Sequence, residues 1–107
     1  MKVHLGLLTL FIFLQLTFAT TINIPENYPT IQEGIDNSVN GDTVLVSEGT
    51  YYENLIIQNK DIAIITLSDN TTLDGGGSGP VVSYFDVSEC ALLEGFTLRN
   101  GTGHPSS

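Results

Sequence analysis

Three short apolar runs between residues 41 and 67 set the strongest limit on the fold: residues 43–46 (TVLV), 55–57 (LII) and 62–67 (IAIITL). Each is rich in β-branched side chains, and turn formers follow each of them, at residues 47–50 (SEGT), 58–61 (QNKD) and 68–70 (SDN). A helix needs about ten residues of sustained 3.6-residue periodicity, which none of the runs has, so all three are expected as strands. The connections are too long and irregular for two-residue hairpins. They favour a path that keeps bending one way over a meander.

Residues 21–24 (TINI) alternate polar and apolar and stop at Pro25, as a short extended strand does. Thr30 and Glu33 have the spacing of a capping box, in which the hydroxyl accepts from the Glu33 N–H and the carboxylate reaches back to the Thr30 N–H. Ile31, Ile35 and Val39 then form one apolar stripe, which predicts a short helix stopped by Asn40-Gly41. Gly34 inside that helix costs about 1 kcal/mol relative to Ala, so the helix depends on packing.

Beyond residue 70 the pattern returns, as residues 72–74 (TLD), 81–87 (VVSYFDV) and 91–98 (ALLEGFTL). Read as two rounds of three strands, corresponding runs start roughly 30 residues apart, a spacing that stacked repeats use. Each strand then pairs with its counterpart one round later, and the helix covers an edge that would otherwise stay unpaired. A β-sandwich of six or seven strands is the rival, since turns every eight to twelve residues or so suit it as well. The poor alternation of Ile62-Ala63-Ile64-Ile65 favours parallel stacking. The expected fold class is all-β, a parallel β-helix (a solenoid) with a short N-terminal capping helix.

The first 19 residues stand apart. Met1-Lys2 is a minimal positive start, residues 5–18 are an apolar core, and Thr17 and Ala19 are the small residues a signal peptidase reads. This predicts a secretory signal peptide cleaved after Ala19, since the apolar run falls short of the roughly 20 residues of a spanning helix. The domain is then residues 20–107, secreted or at the cell surface. It retains Lys60 and Arg99 against twelve acids, a formal charge of −10. Such a surface repels nucleic acid and, once the leader is removed, anionic membrane. Cys90 is the only cysteine, so no intramolecular disulfide forms. Its neighbours Val87, Ala91 and Leu92 predict a buried small hydrophobe.

Residues 28–67 carry a recognisable pattern: YPTIQEGID, then NGDTVLVSEGTYYENLII, then KDIAIITL. It resembles the opening of right-handed parallel β-helix proteins of the pectin lyase-like superfamily, and the start of pectin methylesterases is similar: a TIQ-A-I helix, a strand, a P/G-T-Y-x-E-x turn and a second strand. Residues 91–100 (ALLEGFTLRN) resemble the G-F-T-x-x-N strand that recurs in that superfamily. The resemblance implies an N-terminal capping helix, in which Gly34 replaces the more usual Ala, and inward side-chain ladders that would include Phe85, Cys90 and Phe96. It implies little about activity, because the superfamily holds lyases, hydrolases, esterases, epimerases and non-catalytic surface proteins.

The residues themselves assign no catalytic, cofactor-binding or metal-binding position. Glycan hydrolysis needs two carboxylates across one cleft, and twelve acids supply pairs without marking any. The N-x-D, D-D and G-H-G pattern of polygalacturonases is missing, and His104 stands without those companions. Lys60 and Arg99 are too few to serve as the cations and base of a lyase, and the esterase's later-coil aspartates, glutamines and arginine have no counterpart. Asp74-Gly75-Gly76-Gly77 has its acid before the glycines, in one copy, so it reads as a loop tip rather than a Ca²⁺ repeat. Asp86 and Glu89 read as a solvated turn. In Gly49-Thr50-Tyr51-Tyr52, packing of one Tyr on the fold is preferred to a sugar-stacking surface. Asn70-Thr71-Thr72 and Asn100-Gly101-Thr102 match the glycosylation sequon and also suit turns.

Two rounds are fewer than a stacked repeat needs, so the chain is expected to be the opening of a longer β-helix whose further coils hold any active site and any Ca²⁺. The expected function is that of a secreted segment of an extracellular polysaccharide-active protein, acting on acidic plant or microbial glycan if it is an enzyme, with no catalytic site among these residues. If the whole is an enzyme, it is a polysaccharide lyase, hydrolase or pectin esterase. The alternative is a non-catalytic surface or adhesive β-helix that binds glycan or forms a stalk.

Overall fold

The computed structural model describes residues 18–88 and 90–102. Most of the expected leader, together with Glu89 and His104, lies outside the described residues. The elements in order are β1 (Thr21–Ile24), α1 (Ile31–Asp36), β2 (Thr43–Val46), β3 (Gly49–Tyr52), β4 (Leu55–Gln58), β5 (Ala63–Thr66), β6 (Thr71–Asp74), β7 (Val82–Phe85), β8 (Leu92–Glu94) and β9 (Thr97–Arg99). The strands form three sheets, β1-β2-β5-β8, β3-β6-β9 and β4-β7, and every pairing is parallel. The described residues are thus mostly strand, with one short helix.

Parallel register puts like side chains into columns. Ile22, Val44, Ile64 and Leu93 stand in one column, and Leu55 and Val82 in another. A third column runs Tyr51, Leu73, Leu98. Val44, Ile64, Leu55 and Leu73 are fully buried. Burial falls in the last strands: Leu93 is half-buried and Leu98 is 47% exposed. Among the described residues nothing lies beyond β7, β8 and β9 to cover those columns.

The expected grouping of strands needs correction. Residues 43–46 do not correspond to residues 72–74. They pair with Ala63–Thr66, one sheet position later, and residues 71–74 pair with Gly49–Tyr52, which lies where a turn was expected. GTYY is a strand because Tyr51 leans on the core while Tyr52, pointing the other way, is 72% exposed. The run at residues 91–98 is two strands. Gly95 bends it with φ of +98°, and a Cβ there would lie 2.6 Å from the Thr66 carbonyl oxygen. Only glycine satisfies both the left-handed backbone and that approach.

Three other expectations fail for local reasons. Helix α1 ends at Asp36, so Val39 falls beyond it and is exposed. Cys90 is exposed in the turn before β8, where its N–H donates to the Ser88 hydroxyl. Phe85 is half exposed, whereas Phe96 does lean on the core.

Gly34 has a packing reason that propensity does not show. A Cβ there would sit 2.8 Å from Ile24 Cδ1 and 3.3 Å from Val44 Cγ1, so α1 lies so close to β1 and β2 that any side chain at residue 34 would have to displace the Ile24 methyl. Gly34→Ala is expected to lose its propensity gain of about 1 kcal/mol to overpacking of similar or larger size. Combined with Ile24→Val, which removes the obstructing methyl, the same change should become less costly. A double-mutant cycle in thermal melts should show a coupling of about 1 kcal/mol or more; additive effects would refute this account of the glycine.

Candidate functional site

The only helix among the described residues is tied to β4 by two side chains. The Glu53 carboxylate, just before β4, accepts from the N–H of Ile31 (2.9 Å) and of Gln32 (3.0 Å), so it caps the helix start and sits at its positive end. Gln32 then acts as a one-residue strand. Its Oε1 accepts from the Ile56 N–H at 2.9 Å, and its Nε2 donates to the Ile56 carbonyl at 3.0 Å. The Ile56 backbone on the outer edge of β4 is thereby satisfied without another strand. The Thr30 hydroxyl accepts from the Glu33 N–H as expected (3.1 Å), but the Glu33 carboxylate bonds the Thr30 hydroxyl (3.2 Å) rather than its N–H.

Between α1 and β4 runs an open groove of about 490 Å³ lined by Gln32, Asp36, Asn54, Ile56, Gln58 and Lys60, with Ile35 at its base. Much of its polarity is already engaged. Lys60 Nζ donates to the carbonyls of Ile35 and Ser38, both at 2.8 Å, which satisfies the helix C-terminus. Gln32 Nε2 also donates to Asp36 Oδ1 at 3.0 Å. Asn54 Nδ2 donates to the carbonyls of Gly75 and Pro80. What remains for a ligand is the Gln58 amide, the second oxygen of Asp36, Asn54 Oδ1 and the exposed Ile56 side chain.

Two further carboxylates are buried. Asp42 accepts from the N–H of Thr20 and of Val39, both at 2.9 Å. The Val39 N–H, then the Thr20 N–H, hold its carboxyl below the ordinary value, against a desolvation that works the other way. Asp74 is the second: it is buried and ends strand β6, as expected from the run at residues 72–74, and Gly76 and Gly77 beyond it form the exposed turn. It accepts from the Gly76 N–H (2.9 Å), from Arg99 Nε (3.0 Å) and from Asn100 Nδ2 (2.9 Å), and so joins β6 to the end of β9. The Gly76 N–H is the largest cause of its lowered pKa, with Arg99 and Asn100 adding to it. Asp86 is exposed in a turn, as expected.

Asn70 is exposed on the β5–β6 turn, whereas the Asn100 amide of the second sequon is held by Asp74. Among the described residues no group of three His, Cys, Asp or Glu side chains converges to hold a metal ion, and no helix is long and apolar enough to cross a membrane. Comparison of the chain with protein families, with curated proteins and with solved structures finds no match in any of the three.

Two measurements follow from these bonds. Glu53→Ala should cost about 1–2 kcal/mol of stability in denaturant melts, and Glu53→Gln, which keeps one acceptor, roughly half of that; equal losses would mean that a single neutral acceptor recovers nothing and that the charge or the paired acceptance carries the cap. A carboxyl with a depressed pKa stabilises the fold above its unfolded value, and that stability is lost as pH falls through the folded value. Thermal melts should therefore weaken as pH falls below the ordinary 3.8 of Asp74, and Asp74→Asn should flatten that dependence.

Proposed function

We propose that the chain is the capped opening of a secreted right-handed parallel β-helix of pectin lyase-like kind, in a protein that works outside the cell on polysaccharide. The observation that carries this reading is the register. Strands return to the same sheet after offsets of 20 to 29 residues, as from Thr43 to Ala63 and from Ala63 to Leu92, and every return is parallel. Successive passes that visit three sheets in turn are the geometry of a β-helix, and the right hand is the one that parallel crossovers adopt. The TIQ and G-T-Y-x-E residues behind the resemblance are those that bond α1 to β4 through Gln32 and Glu53.

The two buried acids and the half-buried Glu53 favour a binding or presenting role for these passes over bond cleavage within them. Asp42, Glu53 and Asp74 are committed to backbone N–H groups. The same logic selects the glycan. Lys60 is held by two carbonyls, and Arg99, whose Nε bonds Asp74, is not part of the groove lining, so the groove itself presents no free cation to a uronate. The groove offers amides, a carboxylate oxygen and an apolar side chain, which suit the hydroxyls and ring faces of an uncharged polysaccharide.

Affinity electrophoresis of the leaderless chain through gels containing uncharged or polyuronic polysaccharide, with and without a chelator, tests this. Retardation by the uncharged polymer, reduced about tenfold in apparent affinity by Gln58→Ala with an unchanged melting temperature, is the expected result. Migration unaffected by any polymer would remove the polysaccharide reading.

A further inference from the structure

Asp42 is 4% exposed, and among the described residues no cation stands within ion-pair distance of it. A buried carboxylate without a counter-charge is costly unless something compensates it. Its Oδ1 accepts from the backbone nitrogen of Thr20 at 2.9 Å, and Thr20 is the residue immediately after the expected leader cleavage point. The Thr20 carbonyl in turn accepts from the Thr43 N–H at 2.9 Å, so residue 20 is seated in line with the β1–β2 ladder rather than hanging from it.

We propose that Asp42 is the receptor for the mature N-terminus: removal of the leader after Ala19 creates an α-ammonium on Thr20 that forms a partly buried ion pair with the Asp42 carboxylate. The proposal rests on the secretory reading of residues 1–19. Hydrolysis by a leader peptidase breaks the Ala19–Thr20 bond with one water. Ala19 leaves as a carboxylate, and the Thr20 nitrogen, formerly a neutral amide, becomes an amine that is protonated at neutral pH. The contact that exists before cleavage is thereby turned from a neutral donor into a charged one, which is shorter and stronger. Export and folding are coupled through it: the first strand is fastened most firmly only after the leader has gone.

The other charged groups near this pair are occupied. Lys60 is held by the carbonyls of Ile35 and Ser38 and acts on Asp42 only at a distance. Asp61, whose backbone carbonyl accepts from the Gly41 N–H, directs Oδ1 at the Ser88 N–H at 2.7 Å. The titration of the pair in the neutral to alkaline range therefore belongs to the α-amine. An α-amino group ordinarily titrates near 7.7–8.0 or so, and the partner raises it in the folded state. The added stability is full below the unfolded value and is lost as pH rises through the folded one.

Chains starting at Ala19, at Thr20 and at Thr21, released from a cleavable fusion without residual residues, test the proposal in thermal melts between pH 6 and pH 10 or so. The chain starting at Thr20 should melt about 5 °C higher than the other two near pH 6. That advantage should shrink as pH rises past the amine's pKa, and Asp42→Asn should abolish it. Equal melting temperatures, or an advantage that does not change with pH, would overturn the ion pair. Mass spectrometry of the exported full-length chain examines the underlying reading separately. A mature terminus other than Thr20 would reject the proposed processing even if the melts behave as expected.

Discussion

Parallel register is the constraint on which the rest of this structure depends. Once Thr43–Val46 lies directly over Thr21–Ile24 and under Ala63–Thr66, each inward position must accept the side chain above and below it. β-Branched residues of similar width fill such columns, as Ile22, Val44 and Ile64 do. Where a column changes character, it does so in pairs that satisfy each other. Thr66 occupies the position above Val46, and its buried hydroxyl meets that of Thr71 at 2.8 Å across the corner between β5 and β6. Where width must fall to nothing, as opposite the Thr66 carbonyl, the residue is Gly95. The side chain at one position is thus chosen by residues about one pass away.

That dependence explains which parts of the fold were legible in the sequence. The strand runs TVLV, LII and IAIITL declare themselves, because each is locally apolar and β-branched. The N-cap at Thr30 is equally local. Strand β3 was hidden, because GTYY has one inward aromatic and reads as turn material until β6 is laid beside it. Its omission shifted the count of strands per pass and produced a false match between residues 43–46 and 72–74. Apolar neighbours misled at Cys90, since Leu92 beside it is itself 45% exposed on the last strand of its sheet. At Gly34 propensity gave a cost without its cause, because the obstructing atom belongs to Ile24.

The candidate site was less legible for the same reason. Gln32 is an ordinary helix residue in sequence, and nothing near it shows that its amide will replace a strand for Ile56, 24 positions on. Glu53 is one of twelve acids until the start of α1 is placed against it. The TIQ and G-T-Y-x-E segments contain these positions without stating their work. In the structure that work is mutual, since the residues of one motif satisfy the backbone of the other.

The acidity of the chain takes on a structural meaning in this light. Parallel ladders bind strand to strand, but at the corners the backbone turns and the ladder is interrupted. Side chains bridge those gaps: Asp42 to Thr20 over 22 positions, Glu53 to Ile31 over 22, Asn40 to Asp61 over 21, Asp61 to Ser88 over 27 and Asp74 to Arg99 over 25. These separations match the offsets of the strands, so each bridge joins one pass to the next. Most acceptors are carboxylates and most donors are backbone N–H groups, a combination that gives a charge-assisted bond without a basic partner. Backbone amides spread the compensation of negative charge through the fold. A chain with so few cations can therefore bury acids at its corners, and the acids hold its passes in register.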